Sequence, residues 1–187
     1  MSAPRMQELY DNQVVKALNE EFKYSNPHQV PQLVKIVANM GLGEAVQNPK
    51  IIEGAQKELS QITGQRAIVT RAKQSIATFK LRQGDPVGLS ATLRGDRMWF
   101  FLEKLINVAI PRIRDFNGIK HGFDRRGNYA FGLNDQTIFP EVRIDKITRQ
   151  QGLDVCFTIS GGSDDMSRSL LEGLGFPLKR KKEKGKA

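Results

Sequence analysis

Apolar and polar residues recur along this chain with two periods, and the periods mark out its elements. Met6, Leu9, Tyr10, Val14, Leu18 and Phe22 return every three or four positions. That spacing predicts one helix across about residues 5–23. Two prolines in YSNPHQVPQ, residues 24–32, break the pattern. LVKIVANMG, which starts at Leu33, then alternates in steps of two. Val34, Ile36, Ala38 and Met40 fall on one face, and Lys35, Val37 and Asn39 on the other, as in a half-buried strand. After GLGEAV the longer period resumes in Ile51, Ile52, Ala55, Leu59 and Ile62. Asn48 is placed to cap this second helix, Pro49 suits its first turn, and Gly64 ends it.

RAIVT, residues 66–70, predicts a short strand. Ala77, Phe79 and Leu81 then alternate with Thr78, Lys80 and Arg82, and a turn follows at Gln83-Gly84-Asp85-Pro86. In GLSATLRG, Leu89, Ala91 and Leu93 point inward while Ser90, Thr92 and Arg94 point outward, so the region reads as a hairpin with a polar, basic open face. Asp96 is expected to cap a third helix, the central core helix, with Met98, Trp99, Phe101, Leu102, Leu105, Ile106, Ala109 and Ile110; Pro111 stops it. Residues 112–140, with Gly118, Gly122, Gly127 and Gly132, read as a glycine-rich, irregular extension. VRIDKI and LDVCFTIS read as strands. Ser163 is expected to cap a fourth helix whose first turn holds Asp164 and Asp165, with Gly175 closing it. There is no internal repeat. Most strand pairs are joined too closely for parallel crossovers. The expected fold is α+β: a mainly antiparallel sheet with helices packed on one face, its open face polar and basic.

Composition narrows the class. Of 187 residues, 39% are hydrophobic and 26% charged, an ordinary globular mixture. Residues 1–178 are expected to form a single domain. Cys156 is the one cysteine, so no internal disulfide exists, and an inert buried thiol is the expectation. MSAPRMQELYDNQ holds no apolar run, so no secretory signal is expected. No run approaches the roughly 18–20 apolar residues of a membrane span, so no membrane partner is expected. The net charge of +9 is regional. Residues 179–187, KRKKEKGKA, hold six basic residues and one acid and are expected to be a disordered basic tail. Residues 64–97 hold seven basic and two acidic residues, and residues 111–131 five and two. Within the first of these segments, RAKQSIATFKLRQG (71–84) carries Arg71, Lys73, Lys80 and Arg82 and no acid, which reads as a protruding basic loop. Surface charges normally mix signs, because like charges repel. An unanswered cluster points to an anionic partner.

The outward strand residues supply chemistry for such a partner. Lys35 and Arg94 can meet phosphates. Asn39 and Thr92, with Gln65 at a strand start, can meet ribose hydroxyls and base edges. An ordinary solvated sheet face is the competing reading. Phe79 can stack on a base, although its alternation places it in the core. Enzyme signatures are lacking: His28 and His121 have no metal-ligand spacing, and there is no P-loop, H-E-x-x-H or G-x-S-x-G. Asp115 and Asp124 lie in the irregular segment, unpaired by spacing. No catalytic residue, metal or cofactor is therefore assigned. The alternatives are an RNA-processing enzyme using the loop carboxylates, or a protein-interaction module with an incidental basic surface. GLGEAV lacks the third glycine of a dinucleotide-binding turn. Arg94-Gly95-Asp96 reads as strand end, turn and cap. SGGS at 160–163 reads as a helix cap, because Asp164 and Asp165 would repel a phosphate.

Several phrases together resemble one family. They are NMGLGEA at 39–45, ITGQRAIVTRAKQSIATFKLRQGDPVG at 62–88, TLRGDRMWFFLEKL at 92–105, PRIRDFNGI at 111–119, GNYAFGLNDQTIFPE at 127–141 and RSLLEGLGFP at 168–177. In this order, over about residues 5–178, they resemble the bacterial form of the universal large-subunit ribosomal protein family that binds 5S ribosomal RNA. The resemblance implies a non-catalytic RNA-binding protein of the cytoplasmic ribosome, acting in translation from the central protuberance of the large subunit. It implies that the open sheet face meets 5S rRNA, so Lys35, Asn39, Gln65, Phe79, Thr92 and Arg94 are the expected contacts, and that the chain also touches 23S rRNA. Residues 71–84 look like the family's loop that reaches P-site tRNA near its elbow, through Arg71, Lys73, Gln74, Ser75, Lys80 and Arg82. Residues 112–140 resemble the part that bridges to a small-subunit ribosomal protein, through Arg112, Arg114, Asp115 and Asn134. No homo-oligomer is expected. The family commonly has glycine where Arg125 stands in GFDRRGNY, and the loop before it is about one residue shorter here.

Overall fold

The computed structural model describes residues 4–46, 48–114, 116–119, 122–142, 150–161 and 163–179. Five strands, β1 (Leu33–Gly41), β2 (Ile68–Arg71), β3 (Pro86–Leu93), β4 (Tyr129–Leu133) and β5 (Leu153–Ile159), form one sheet. Its order is β2-β3-β1-β5-β4 and every neighbouring pair is antiparallel. Helix α1 (5–22) runs continuously through Arg5–Leu9, a π turn at Tyr10–Val14, and Val15–Phe22. Helix α2 is Lys50–Thr63. Helix α3 (96–112) runs through Asp96–Lys104, a π turn at Leu105–Ala109 and a 3-10 turn at Ile110–Arg112, and α4 is Asp164–Gly173. None of the described helices is long and apolar enough to cross a membrane.

One apolar cluster joins all these elements. The strands contribute Ile36, Ala38 and Met40, Leu89 and Leu93, and Leu153, Val155, Phe157 and Ile159. The helices contribute Tyr10, Val14 and Leu18, Leu59 and Ile62, Leu102 and Leu105, and Leu170 and Leu171. Each buried Val, Leu, Ile, Phe or Met side chain among them contributes about 1.5–3 kcal/mol. Tyr129 sits among Phe123, Phe131, Phe157 and Phe176 with ring centroids 4.8–6.1 Å apart. Because the cluster draws on every second strand residue, all four helices lie on the same side of the sheet.

The sequence-based expectations hold for α1, α2, α3, α4, β1, β3 and β5, and depart in detail elsewhere. Val34 is exposed and Leu33 buried, the reverse of the expected phase. The register slips between Leu33 and Lys35, and a one-residue slip moves side chains to the other face. Residues 77–82 are not a strand. The hairpin closes directly between β2 and β3, with Val69 opposite Leu89, and leaves residues 72–85 as its loop. There Ala77–Phe79 form a 3-10 turn and Lys80 is left-handed, at φ 52°. Gly95, at φ 57°, takes the cap position of α3, so Asp96 is its first helical residue rather than its cap. Asn48 supports the start of α2 through its carbonyl, which accepts from Ile51 N–H, and Ser163 precedes α4 without a side-chain cap bond. Gly64 at φ 66° ends α2 as expected. The irregular extension at 112–140 contains β4, whose Tyr129, Phe131 and Leu133 alternate with Ala130 and Gly132. Of the strand expected at VRIDKI, Val142 closes a turn onto the Phe139 carbonyl and the rest falls outside the described residues; of the tail expected at 179–187, Lys179 N–H donates to the Ile119 carbonyl and residues 180–187 fall outside them.

Leu102 is fully buried in α3, whereas Phe100 on the same helix is 55% exposed. Leu102→Ala is expected to cost about 2–5 kcal/mol in denaturant unfolding, by lost burial plus a cavity. Phe100→Ser is expected to stay within roughly 0.5 kcal/mol. Comparable losses at the two positions would contradict this packing.

Candidate nucleic-acid interface

Directly opposed residues of an antiparallel pair share a face, so the register fixes the sheet's other surface row by row. One row runs Ile68, Ser90, Asn39, Asp154, Gly132 from β2 to β4. The next holds Thr92, Val37, Cys156 and Ala130, and a third holds Lys35 and Thr158. Arg94 follows Leu93, which pairs with Ile36, and so lies at the Lys35 end. Lys35, Val37, Asn39, Ser90, Thr92, Cys156 and Thr158 are all half-buried, while their inward neighbours are sealed. With strands about 4.8 Å apart, Asn39 and the hydroxyls of Ser90, Thr92 and Thr158 are closely spaced here among Ile68, Val37, Cys156 and Ala130, with the Asp154 carboxylate in the first row and cations at one end.

The structure brings Lys35, Asn39, Thr92 and Arg94 onto this face, as the alternation predicts. Gln65 stands at its margin. Its side-chain Nε2 donates to the Thr92 carbonyl at 3.2 Å, and its own carbonyl accepts from Thr63 Oγ1 at 3.0 Å, tying the end of α2 to β3. Phe79 is neither in the core nor on the sheet. It sits 73% exposed in the 72–85 loop, because no strand exists there to bury it. Asp154 and Thr158 join this face through the same alternation in LDVCFTIS, and Cys156, expected to be buried, lies half-buried on it beside them. Burial, and then the Asp154 charge, push the Cys156 thiol up, so it stays protonated. Asp154 adds an acceptor for amino or hydroxyl groups beside Asn39.

Arg71, Lys73, Gln74, Ser75, Lys80 and Arg82 are all exposed in or beside the loop, at the opposite end of β3 from Arg94. The loop has an internal frame. Ala72 and Gly84–Asp85 exchange backbone bonds of 2.8 and 3.0 Å, and Ile76 and Leu81 exchange bonds of 2.9 and 3.1 Å. Asp85 Oδ2 accepts from Arg82 N–H at 2.8 Å, Ser75 Oγ accepts from Gln83 N–H at 2.9 Å, and Arg71 Nη1 donates to the Gly84 carbonyl at 2.9 Å. Ser75 and Arg71 thus brace the loop as well as lining it.

Arg112, Arg114 and Asn134 line one open groove of about 370 Å³, with Asp135 and Thr137. Asp135 accepts from Thr137 N–H at 2.8 Å and from Gln150 Nε2 at 3.2 Å, so it serves the groove wall. Asp115 lies outside the described residues. Asp124 is fully committed to a turn. Its carboxylate is held below the usual range first by the Asn128 side chain and next by the Arg126 N–H. Among the described residues, no group of three His, Cys, Asp or Glu could hold a metal ion.

A helix-backed antiparallel sheet with a bare face of amides, hydroxyls and marginal cations defines an α+β protein suited to a flat, polar, anionic partner. Comparison with known proteins agrees with that class. Residues 26–82 match the family model Ribosomal protein L5, and residues 86–178 match the model for the C-terminus of the ribosomal L5 family. The large ribosomal subunit protein uL5 of Desulfotalea psychrophila is 54% identical over 176 residues, 94% of this chain and 98% of that protein. Those of Salinispora tropica and Geobacter sulfurreducens are each 52% identical, across 94% of this chain and 94% and 98% of theirs. The chain belongs to the ribosomal protein L5 family. This family is structural and non-enzymatic, and rRNA binding, a place in ribonucleoprotein and a role in translation follow from membership. The two matches meet at the base of the 72–85 loop, and β1 from the first pairs with β3 from the second.

The loop's frame has a measurable consequence. Substituting both Ser75 and Asp85 by Ala removes two side-chain acceptors, each worth about 0.5–1.5 kcal/mol. Amide exchange at Arg82 and Gln83 is expected to accelerate about tenfold, or somewhat more, while Leu89–Leu93 amides stay protected. Unchanged exchange in the loop would mean that its order has another source.

Proposed function

We propose that this chain is a structural constituent of the large ribosomal subunit that binds 5S rRNA with the open face of its sheet and helps attach it to 23S rRNA in the central protuberance. The observation that carries the reading is the bare face itself. Asn39, Ser90, Thr92 and Thr158 offer donors and acceptors at strand spacing, and Lys35 and Arg94 supply charge at one end. RNA presents phosphates, 2′-hydroxyls and base edges to such a surface, and amide and hydroxyl groups are what read the last two. The fixed sheet suits a fixed partner.

The 72–85 loop is a second surface of a different kind. Arg71 pairs with Pro86 at the start of β3, about eight residues from Arg94, so the two basic regions stand roughly 26 Å apart along the strand. The loop offers Arg71, Lys73, Lys80 and Arg82 with few groups that discriminate bases. Phosphate contacts carry little sequence information, which suits a partner whose identity changes, and we assign this surface to P-site tRNA. Phe79 at its tip joins this surface rather than the sheet's. The groove at Arg112, Arg114 and Asn134 is assigned to the bridge with a small-subunit protein. The proposed setting is the cytoplasmic ribosome.

Titrating the protein with 5S rRNA across salt tests the reading. With about five phosphate contacts, log affinity is expected to fall by roughly 3.5–4.5 per decade of salt. Asn39→Ala or Thr92→Ala is expected to weaken 5S binding by about two- to tenfold, the worth of one hydrogen bond. Arg82→Ala should spare 5S binding and weaken tRNA retention on assembled ribosomes. A flat salt response, or equal loss of 5S affinity in all three variants, would refute the assignment.

A further inference from the structure

Residues 124–128 form a turn that is held from three sides although its tip is fully solvated. Asp124 Oδ1 accepts from Arg126 N–H at 2.8 Å and Asn128 N–H at 3.0 Å, and Oδ2 accepts from Asn128 Nδ2 at 2.7 Å. Asp124 N–H closes the turn onto the Asn128 carbonyl at 3.1 Å. Two further bonds anchor it to the fold. Gly127 N–H donates to Asp164 Oδ1 at 3.0 Å, and Asn128 Oδ1 accepts from Ile159 N–H at 3.2 Å. Gly127, at φ 82°, lies so close to α4 that an added Cβ would stand 2.7 Å from Ser167 Oγ. At the tip Arg125 holds φ 66°, a region that a side chain ordinarily avoids.

This frame displays Arg125 and Arg126, both exposed. Neither is ion-paired with a carboxylate among the described residues. Asp124 and Asp164, the two acids that frame the turn, each accept backbone N–H groups from it. The position matters as much as the charge. Tyr129 pairs with Phe157, so Asn128 follows opposite Thr158, which pairs with Lys35. The turn therefore stands at the Lys35 end of the sheet, just beyond Asn128 in the row that holds Arg94, Lys35 and Thr158, and is tied there to the start of α4. Three strand spacings put Asn128 about 14 Å from the Arg94 end.

We propose that Arg125 and Arg126 form a prebuilt phosphate clamp for the RNA chain that lies across the sheet. This rests on the reading of that face as an RNA surface. Guanidinium forks bind phosphate oxygens two at a time, and holding their backbone fixed in advance reduces the ordering cost of doing so. An acidic protein segment would meet the same charges, but not the hydroxyl and amide row that leads to them.

The full chain and 5S rRNA provide the test. Arg125→Gly suits the left-handed backbone, and Arg126→Gln keeps the side chain's length. Each is expected to reduce the salt slope by about 0.7–0.9 and affinity about fivefold at 0.1 M salt. Asp124→Ala separates a built site from bulk charge. It leaves both arginines and raises net charge by one, so simple electrostatics demands tighter binding, whereas loss of the frame gives weaker binding. Circular dichroism and thermal melting on each variant confirm that the sheet persists, and Thr92→Ala reports on the sheet face independently. If Thr92→Ala weakens binding while the arginine variants match the parent, or Asp124→Ala binds more tightly, the clamp is wrong and the sheet reading stands. If Thr92→Ala and the turn variants all leave binding unchanged, both fall together.

Discussion

The four described helices all pack against the same side of the sheet, and that one-sidedness organises the rest. Ile36, Leu93, Val155 and Phe157 are sealed because α1 to α4 stand over them. Their alternate neighbours Lys35, Thr92 and Cys156 have no such cover. A strand cannot change this allocation locally, since a one-residue slip would exchange both sets at once. The slip near Leu33 shows the rule at its limit: it occurs at the end of β1, where only Val34 and Leu33 change places. A surface so constrained is flat, regular and rigid, and it cannot close around a ligand. A partner that is itself extended and evenly spaced fits it, and a ribose-phosphate chain has those properties.

The period-two signal therefore exposed the fold and much of the candidate site together. Asn39, Thr92, Lys35 and Arg94 were legible because the same alternation that buries Ala38 and Leu93 turns them outward. Legibility failed where local pattern and long-range pairing disagree. Residues 77–82 alternate as cleanly as β3, yet β2 pairs with β3 first and leaves them without a partner strand, so Phe79 emerges into solvent. β4 failed in the opposite direction. Tyr129, Phe131 and Leu133 carry the alternation, but Gly127 and Gly132 beside them suggested a loop, and only the pairing with β5 shows that the glycines accompany a strand. Asp124 was legible as a loop carboxylate and not as a turn hub, because its partners Arg126 and Asn128 are ordinary residues whose contribution is backbone N–H.

The two proposed RNA surfaces differ in what has been ordered in advance. The sheet residues are fixed by packing on their inner side, so little conformational freedom remains to be lost when a partner arrives. The 72–85 loop has no core beneath it, and its cations repel one another. Its order comes from Asp85, Ser75 and the Ile76–Leu81 exchange, that is, from hydrogen bonds that solvent can contest. Such a loop holds its shape without being stiff. Its lysines and arginines keep their side-chain freedom, and surface charges of this kind act over about a Debye length, roughly 8–10 Å in physiological salt. On the proposed reading this favours rapid, weak and repeated engagement of tRNA, while the sheet favours one lasting engagement. The 124–128 turn belongs with the sheet, since Gly127 on α4 and Asn128 on β5 tie its arginines to the same rigid frame. Bonds to core elements distinguish it from the loop, although both present paired cations on exposed turns. Where the charges stand therefore says less about their role than what stands behind them.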